Sequence, residues 1–265
     1  MSTRATDRAA AGSPVIARAA LESIATRAGA VALEHFHRVT PERKPDRTLV
    51  TEADRAVEAF IATELRERWP DVGIVAEEGT ERASSGESCF VVDPIDGTAV
   101  FVAGLPTWCV CIGLMEAGCP RAGVVHLPCS AELYTAVDGG AWWNGVAIGR
   151  LDDGPPAGDP FVAVHSKAHR RHRLQGVSKV RSLGSAAYHV VLVARGVARA
   201  AFLGDVRVWD LAAAGAVLGA VGGVFEFLDG GQVSLGTLLD GRRAPGDVLA
   251  GTPAAIAELR AQLHP

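Results

Sequence analysis

Two hydrophobic rhythms alternate along the chain. Within the alanine-rich segment from Pro14 to Phe36, the apolar residues Ile16, Leu21, Ile24 and Leu33 recur at broadly helical spacings, which predicts a first helix. A second helix is predicted from Thr51. Thr51 takes the N-cap position, Asp54 the acid position of a capping box, and Val57, Phe60, Ile61 and Leu65 form the apolar stripe that stops at Pro70. The rhythm then shortens. Gly73–Ala76, Phe90–Val92, Cys109–Met115, Ala122–Val125 and Leu133–Val137 are predicted strands, with a polar loop over Thr80–Ser88 and turns at Gly139-Gly140 and Asn144-Gly145.

A Gly-Pro-rich stretch, Gly154–Gly158, marks a seam between residues 1–153 and 159–265, two halves of one compact unit. Beyond it, strands are predicted at Phe161–Val164, Arg199–Leu203 and Val224–Phe227. Helices are predicted at Ala186–Ala194, Asp210–Leu218 and Pro253–Leu263. Strands and helices mixed throughout indicate a layered α/β (α+β) architecture.

Composition narrows the class. The 265 residues are 48% hydrophobic with a formal net charge of -4, enough for a sizeable core and unlike a nucleic-acid-binding surface. No apolar run reaches the roughly 18 residues of a membrane span, and the first residues lack the apolar core of a secretory signal. Cys89, Cys109, Cys111, Cys119 and Cys129 are odd in number and include no CxxC pair, so reduced thiols and a cytoplasmic location are expected.

One stretch breaks the apolar pattern. CFVVDPIDGTAVF (Cys89–Phe101) places Asp93 and Asp96 at the end of a core-forming run, with no Lys or Arg between Cys89 and Phe101. An ionised carboxylate leaves water only when a cation or hydrogen bonds compensate it. Two of them here point to a metal, and an oxygen-rich, histidine-poor site suits Mg²⁺. Gly97-Thr98 follow at once, where a backbone free to approach closely and a predicted helix from Thr98 to Ala103 would suit a phosphate. Glu77, Glu78, Asp54 and Asp210 are also acids beside apolar runs. Each also has a structural reading, as a helix cap or a solvated turn.

With these residues in place, the sequence resembles the inositol monophosphatase family of magnesium-dependent, lithium-sensitive phosphatases. The match lies in LVTEADRAVE (Leu49–Glu58), VAEEG (Val75–Gly79), VVDPIDGTAVFVAGLP (Val91–Pro106) and VWDLAAAG (Val208–Gly215), in family order, with weaker matches at GGAWWNG and RSLGSAA. The resemblance implies the α-β-α-β-α sandwich shared with fructose-1,6-bisphosphatase, and a homodimer. It implies two or three Mg²⁺ per active site, held by Glu77, Asp93, Asp96, Asp210 and the Ile95 carbonyl. Asp54 and Thr98, with Glu77, would activate water. Asp96, Gly97, Thr98, Gly184, Ser185 and Ala186 would contact a small phosphorylated substrate, with neither nucleic acid nor membrane as partner.

Inositol monophosphate is the expected substrate among small phosphorylated polyols and sugars. The alternatives are 3'-phosphoadenosine 5'-phosphate, fructose 1,6-bisphosphate and histidinol phosphate. Leu203 stands where inositol-specific relatives carry a hydroxyl-binding glutamate. The basic run from His165 to Arg173 is comparable to a segment of the nucleotide-bisphosphate phosphatases.

Overall fold

The structure is a computed structural model that describes residues 14–79, 88–154, 158 and 160–264. The polar N-terminal arm through residue 13, the predicted loop over residues 80–87 and most of the predicted seam (residues 155–157) lie outside the described residues. Six α-helices order the rest: α1 (Arg18–His35), α2 (Glu52–Arg68), α3 (Thr98–Val102), α4 (Ala186–Ala194), α5 (Val208–Ala220) and α6 (Pro253–Gln262).

A seven-stranded sheet takes its strands in chain order: Gly73–Ala76, Ser88–Asp96, Cys109–Glu116, Cys119–Leu127, Glu132–Val137, Gly140–Trp143 and Val146–Ala147. The first pair is parallel and the rest are antiparallel. A five-stranded sheet runs Val180–Arg181, Phe161–Val164, Ala198–Leu203, Val248–Gly251, Val224–Phe227. Its first three are parallel, and Val248–Gly251 is antiparallel to both neighbours.

Period-two alternation assigns the layers. From the large sheet, Phe90, Val92, Val110 and Ile112 pack against Leu21 and Ile24 of α1 and Val57, Ile61 and Leu65 of α2. The intervening Cys89, Val91, Cys109 and Cys111 face the other way, toward α4 and α5. Apart from Tyr188, His189 and Asp210, those two helices are apolar on all sides because a sheet lies on each side of them. On the far side of the small sheet, Val162, Val164, Phe202 and Leu249 meet Ile256 and Leu259 of α6. The layers are therefore α-β-α-β-α, as the resemblance implies.

The helix α5 lies very close to the large sheet. A Cβ added at Gly113 would lie 2.8 Å from the Ala213 nitrogen, and one at Gly123 would lie 2.4 Å from the Ala213 carbonyl oxygen. Only glycine on the strands, opposite alanine on the helix, permits that approach.

Several predicted boundaries shift. The strand predicted at Phe90–Val92 runs from Ser88 to Asp96, so Ser88 belongs to it rather than to the loop. Helix α5 begins at Val208, not Asp210. Gly140 opens a strand, while Asn144 (φ 47°) and Gly145 (φ 80°) form a two-residue hairpin turn. No helix among the described residues is long and apolar enough to cross a membrane.

Candidate active site

Residues three apart on a strand normally face opposite ways, yet Asp93 and Asp96 converge. Asp93 pairs with Cys111 and Asp96 with Cys109, so three steps on one strand oppose two on its neighbour. This bulge re-aims the second aspartate to the same face as the first. The Ile95 amide donates to Asp93 Oδ1 at 3.0 Å and supports the local bend.

Asp210 reaches the same place from α5. It stands at the third helical position, where its Oδ2 accepts from the Arg207 amide at 2.5 Å. The carboxylates of Asp93, Asp96 and Asp210 each offer an oxygen within 4.8 Å of the other two. Asp93 and Asp96 are buried and Asp210 is partly so. Among the described residues, none of the three has a salt-bridge partner. Burial, followed by the charges of Glu77, Asp96 and Asp210, pushes the Asp93 carboxyl well above the usual carboxylate range. Burial, then Asp96 and Glu77, does the same to Asp210. Asp96 is raised by burial despite hydrogen bonds from Ser185 and from backbone amides. A bound cation would compensate these charges. The donors are all oxygens, the set that Mg²⁺ favours, so the residues fit the ion the sequence called for.

Asp54 is fully buried beside this trio. Its Oδ2 accepts from the Thr51 amide at 2.7 Å and the Thr51 hydroxyl at 2.6 Å, completing the predicted capping box. Its Oδ1 faces the Thr98 hydroxyl at 3.2 Å, and that hydroxyl is also 3.2 Å from the Ile95 carbonyl oxygen. Burial raises the Asp54 carboxyl, against the lowering effect of Thr51. The Glu77 amide donates to the Val92 carbonyl at 3.2 Å, which extends the parallel pairing and brings Glu77 alongside Asp93.

Lys44 binds Glu77 Oε1 at 2.9 Å and Glu78 Oε1 at 2.6 Å. Burial opposes the charge on Lys44, but the two glutamates outweigh it and raise its pKa. Glu78 is held at about 7, chiefly by burial.

The predicted substrate contacts meet on the opposite wall. Gly97 (φ 94°) and Gly184 (φ 88°) both occupy the left-handed region and lie against each other. A Cβ at Gly184 would be 2.2 Å from Val100, and one at Gly97 would be 3.2 Å from the Gly184 carbonyl oxygen. Ser185 caps α4, and its hydroxyl donates to Asp96 Oδ2 at 2.5 Å while the Ala187 amide reaches the same oxygen at 2.7 Å. Gly184, Ser185 and Ala186 line a cleft of about 210 Å³ together with Asp96 and Asp210.

The sequence reading did not single out Lys44, the Ser185–Asp96 bond, or His189 on the cleft wall. Lys44 sits in a short hairpin, Glu42–Arg43 with Leu49–Val50, that no hydrophobic alternation announces. The Ser185–Asp96 bond spans 89 positions.

The layered fold and its cluster of buried carboxylates place the chain among hydrolases of phosphate esters. The sequence profile of the inositol monophosphatase family matches residues 15–263, and the chain belongs to that family. It is a phosphomonoester hydrolase.

A fructose-1,6-bisphosphatase/inositol-1-monophosphatase of Thermotoga maritima is 32% identical, over 78% of this chain and 83% of its own. A histidinol-phosphatase of Mycobacterium tuberculosis is 35% identical, over 71% of this chain and 78% of its own. Among solved structures, the extragenic suppressor protein suhB of Bartonella henselae superposes with a TM-score of 0.79 at 25% identity, covering 92% of this chain and 96% of that one.

Proposed function

We propose that the protein is a Mg²⁺-dependent phosphomonoesterase acting on a small phosphorylated polyol, inositol monophosphate in particular. The observation that carries this reading is the trio Asp93, Asp96 and Asp210, three acids gathered within 4.8 Å with no salt-bridge partner among the described residues. In this reading they would hold two or three Mg²⁺ together with Glu77 and the Ile95 carbonyl. Bound there, Mg²⁺ supplies Lewis acidity that draws charge from phosphoryl oxygens and lets water act as a nucleophile at neutral pH.

The chain's own residues then order the proton movements. Thr98 Oγ1 lies between Asp54 Oδ1 and the Ile95 carbonyl. A water beside Thr98 passes its proton to Thr98 Oγ1 as the hydroxyl proton moves to Asp54 Oδ1. The raised Asp54 carboxyl is a better base for this step than an ordinary aspartate. Gly97 and Thr98 hold the phosphate by their backbone, and Gly184, Ser185 and Ala186 close the cleft around the rest of the substrate. All five cysteines are free thiols, which supports a cytoplasmic location. A homodimer follows from the family resemblance.

A second reading draws on Lys167. It enters the cleft with His165 and Ser166 of the basic run, and it pairs with Asp205 at 3.5 Å. A second anionic group, as on 3'-phosphoadenosine 5'-phosphate, could take the place of Asp205 there.

Phosphate release with Mg²⁺, with and without lithium, tests both readings. The panel is inositol 1-phosphate, fructose 1,6-bisphosphate, histidinol phosphate and 3'-phosphoadenosine 5'-phosphate. Preference for inositol 1-phosphate is expected. Preference for the nucleotide would install the second reading, and release from none would overturn both.

A further inference from the structure

His189 and His165 line the same cleft as Asp96 and Asp210, yet neither belongs to the acidic cluster. His189, in α4, is 1% exposed, and its Nε2 accepts a hydrogen bond from the Leu183 amide at 2.9 Å. A ring nitrogen that accepts carries no proton, so the neutral imidazole bears its hydrogen on Nδ1. That Nδ1–H has no partner among the described residues. Burial, with His165 nearby, pushes the ring's pKa down to about 4, so it remains a neutral, single-proton donor near pH 7.

His165 shows the same incompleteness. Its Nε2 is buried without a partner among the described residues. The ring stands edge-on to Phe202 at 4.9 Å and lies over Gly204, where a Cβ would come within 2.7 Å of it. Leu203 completes this part of the cleft and offers no polar side-chain atom. Buried polar atoms are rarely left unpaired in native proteins, and two on side chains that line one cleft point to a ligand that completes them.

We infer that the Nδ1–H of His189, with His165 Nε2 from the same cleft lining, forms a hydroxyl subsite that recognises the polyol part of the substrate. The inference rests on the polyol-phosphatase reading above. A hydroxyl suits the pair because it accepts from His189 while its own proton remains free to turn toward His165. An apolar leaving group would strand the Nδ1–H, and a site built to pair a hydroxyl discriminates against analogues that lack it.

The test compares kcat/KM for inositol 1-phosphate and cyclohexyl phosphate, with Mg²⁺, in the wild type and in His189→Asn and His189→Gln. Asparagine places an amide nitrogen near the Nδ1 position and gives up the Leu183 bond. Glutamine reaches the Leu183 amide with its oxygen and gives up the donor. The wild type should prefer the polyol, H189N should keep that preference, and H189Q should lose about tenfold of it. If H189Q keeps the preference, or H189N alone loses it, His189 acts only on Leu183 and the inference falls by itself. If the wild type shows no preference or hydrolyses neither compound, the polyol reading falls with it. Should the variants not fold, histidine-selective ¹⁵N spectra of the wild type decide. The His189 ring N–H should shift on adding inositol with phosphate, and an equal shift with phosphate alone, or none with inositol, would overturn the inference.

Discussion

Asp96 and Ser185, 89 positions apart, are joined by a 2.5 Å hydrogen bond that ties the bulged strand of the large sheet to the first turn of α4. The same hydroxyl accepts from the Tyr188 amide at 3.0 Å, so one side chain both caps a helix and orients an acid. Ser185→Ala should therefore have two separable effects. Loss of the cap costs about 1 kcal/mol of stability. Loss of the partner of a metal-binding carboxylate lowers Mg²⁺ affinity or activity by about 10- to 100-fold. Thermal unfolding measures the first and an Mg²⁺ titration of phosphate release the second. A variant with the stability loss and an unchanged Mg²⁺ dependence would remove Asp96 from the metal set.

Asp93→Asn should abolish measurable turnover and leave the fold intact. In the metal-free protein the substitution removes one charge from a buried cluster of like charges, so unfolding should occur no earlier than in the wild type. The rise in Tm on adding Mg²⁺, expected for the wild type because the ion binds the folded state alone, should be largely lost. Calorimetry with and without Mg²⁺ checks both halves.

Asp54→Asn separates proton handling from ion binding. Asparagine can still accept from Thr51 through its oxygen, so the capping box survives with a cost of about 1 kcal/mol or less. What disappears is the base facing Thr98. Turnover should fall at least about a hundredfold, beyond the cost of a misplaced hydrogen bond, while the Mg²⁺ concentration at half-maximal activity changes little. A large change in that concentration would place Asp54 among the ligands instead.

Acid should destabilise the fold through His189. Its folded pKa, about 4, lies below the ordinary 6.5. Between those values the unfolded chain binds a proton that the folded chain does not, so stability is complete above about 6.5 and falls as pH drops toward 4. The loss is on the order of 3 kcal/mol across that window. Urea unfolding from pH 7 to 4, with Mg²⁺ present, should show the decline, and H189N should flatten it. An equally steep decline in H189N would assign the effect to other groups.

Much of this was legible in the sequence where the determining contacts are local. Thr51 and Asp54 announce their capping box three residues apart. Cys109 and Cys111 alternate with Val110 and Ile112 and do face separate layers. The oddity of Asp93 and Asp96 in an apolar run was visible, but the bulge that unites them was not, because it depends on register with Cys109 and Cys111. The sequence places Asp210 at the start of a helix and, by resemblance, in the metal set; it is the third helical residue, and its carboxylate both accepts from the Arg207 amide and joins the trio. Lys44 and His189 were missed for a common reason. Each acquires its meaning from residues distant in sequence, Glu77 for the lysine and the cleft wall for the histidine.

The two glycines beneath α5 bear on which ion the site would accept. Ala213 is three positions past Asp210, and its backbone rests on Gly113 and Gly123. The reach from Asp210 to Asp93 is thus set from behind, by the missing side chains of two strands. A methyl group at Gly123 would lift the helix and widen the gap between the acids, toward the Ca²⁺–oxygen distances of about 2.3–2.6 Å and away from the 2.0–2.1 Å of Mg²⁺. Gly123→Ala should accordingly bind Ca²⁺ relatively better and Mg²⁺ worse, as calorimetric titration of both ions would register. The calibre of a metal seat there would then be set by residues that carry no functional group and meet only the helix behind it.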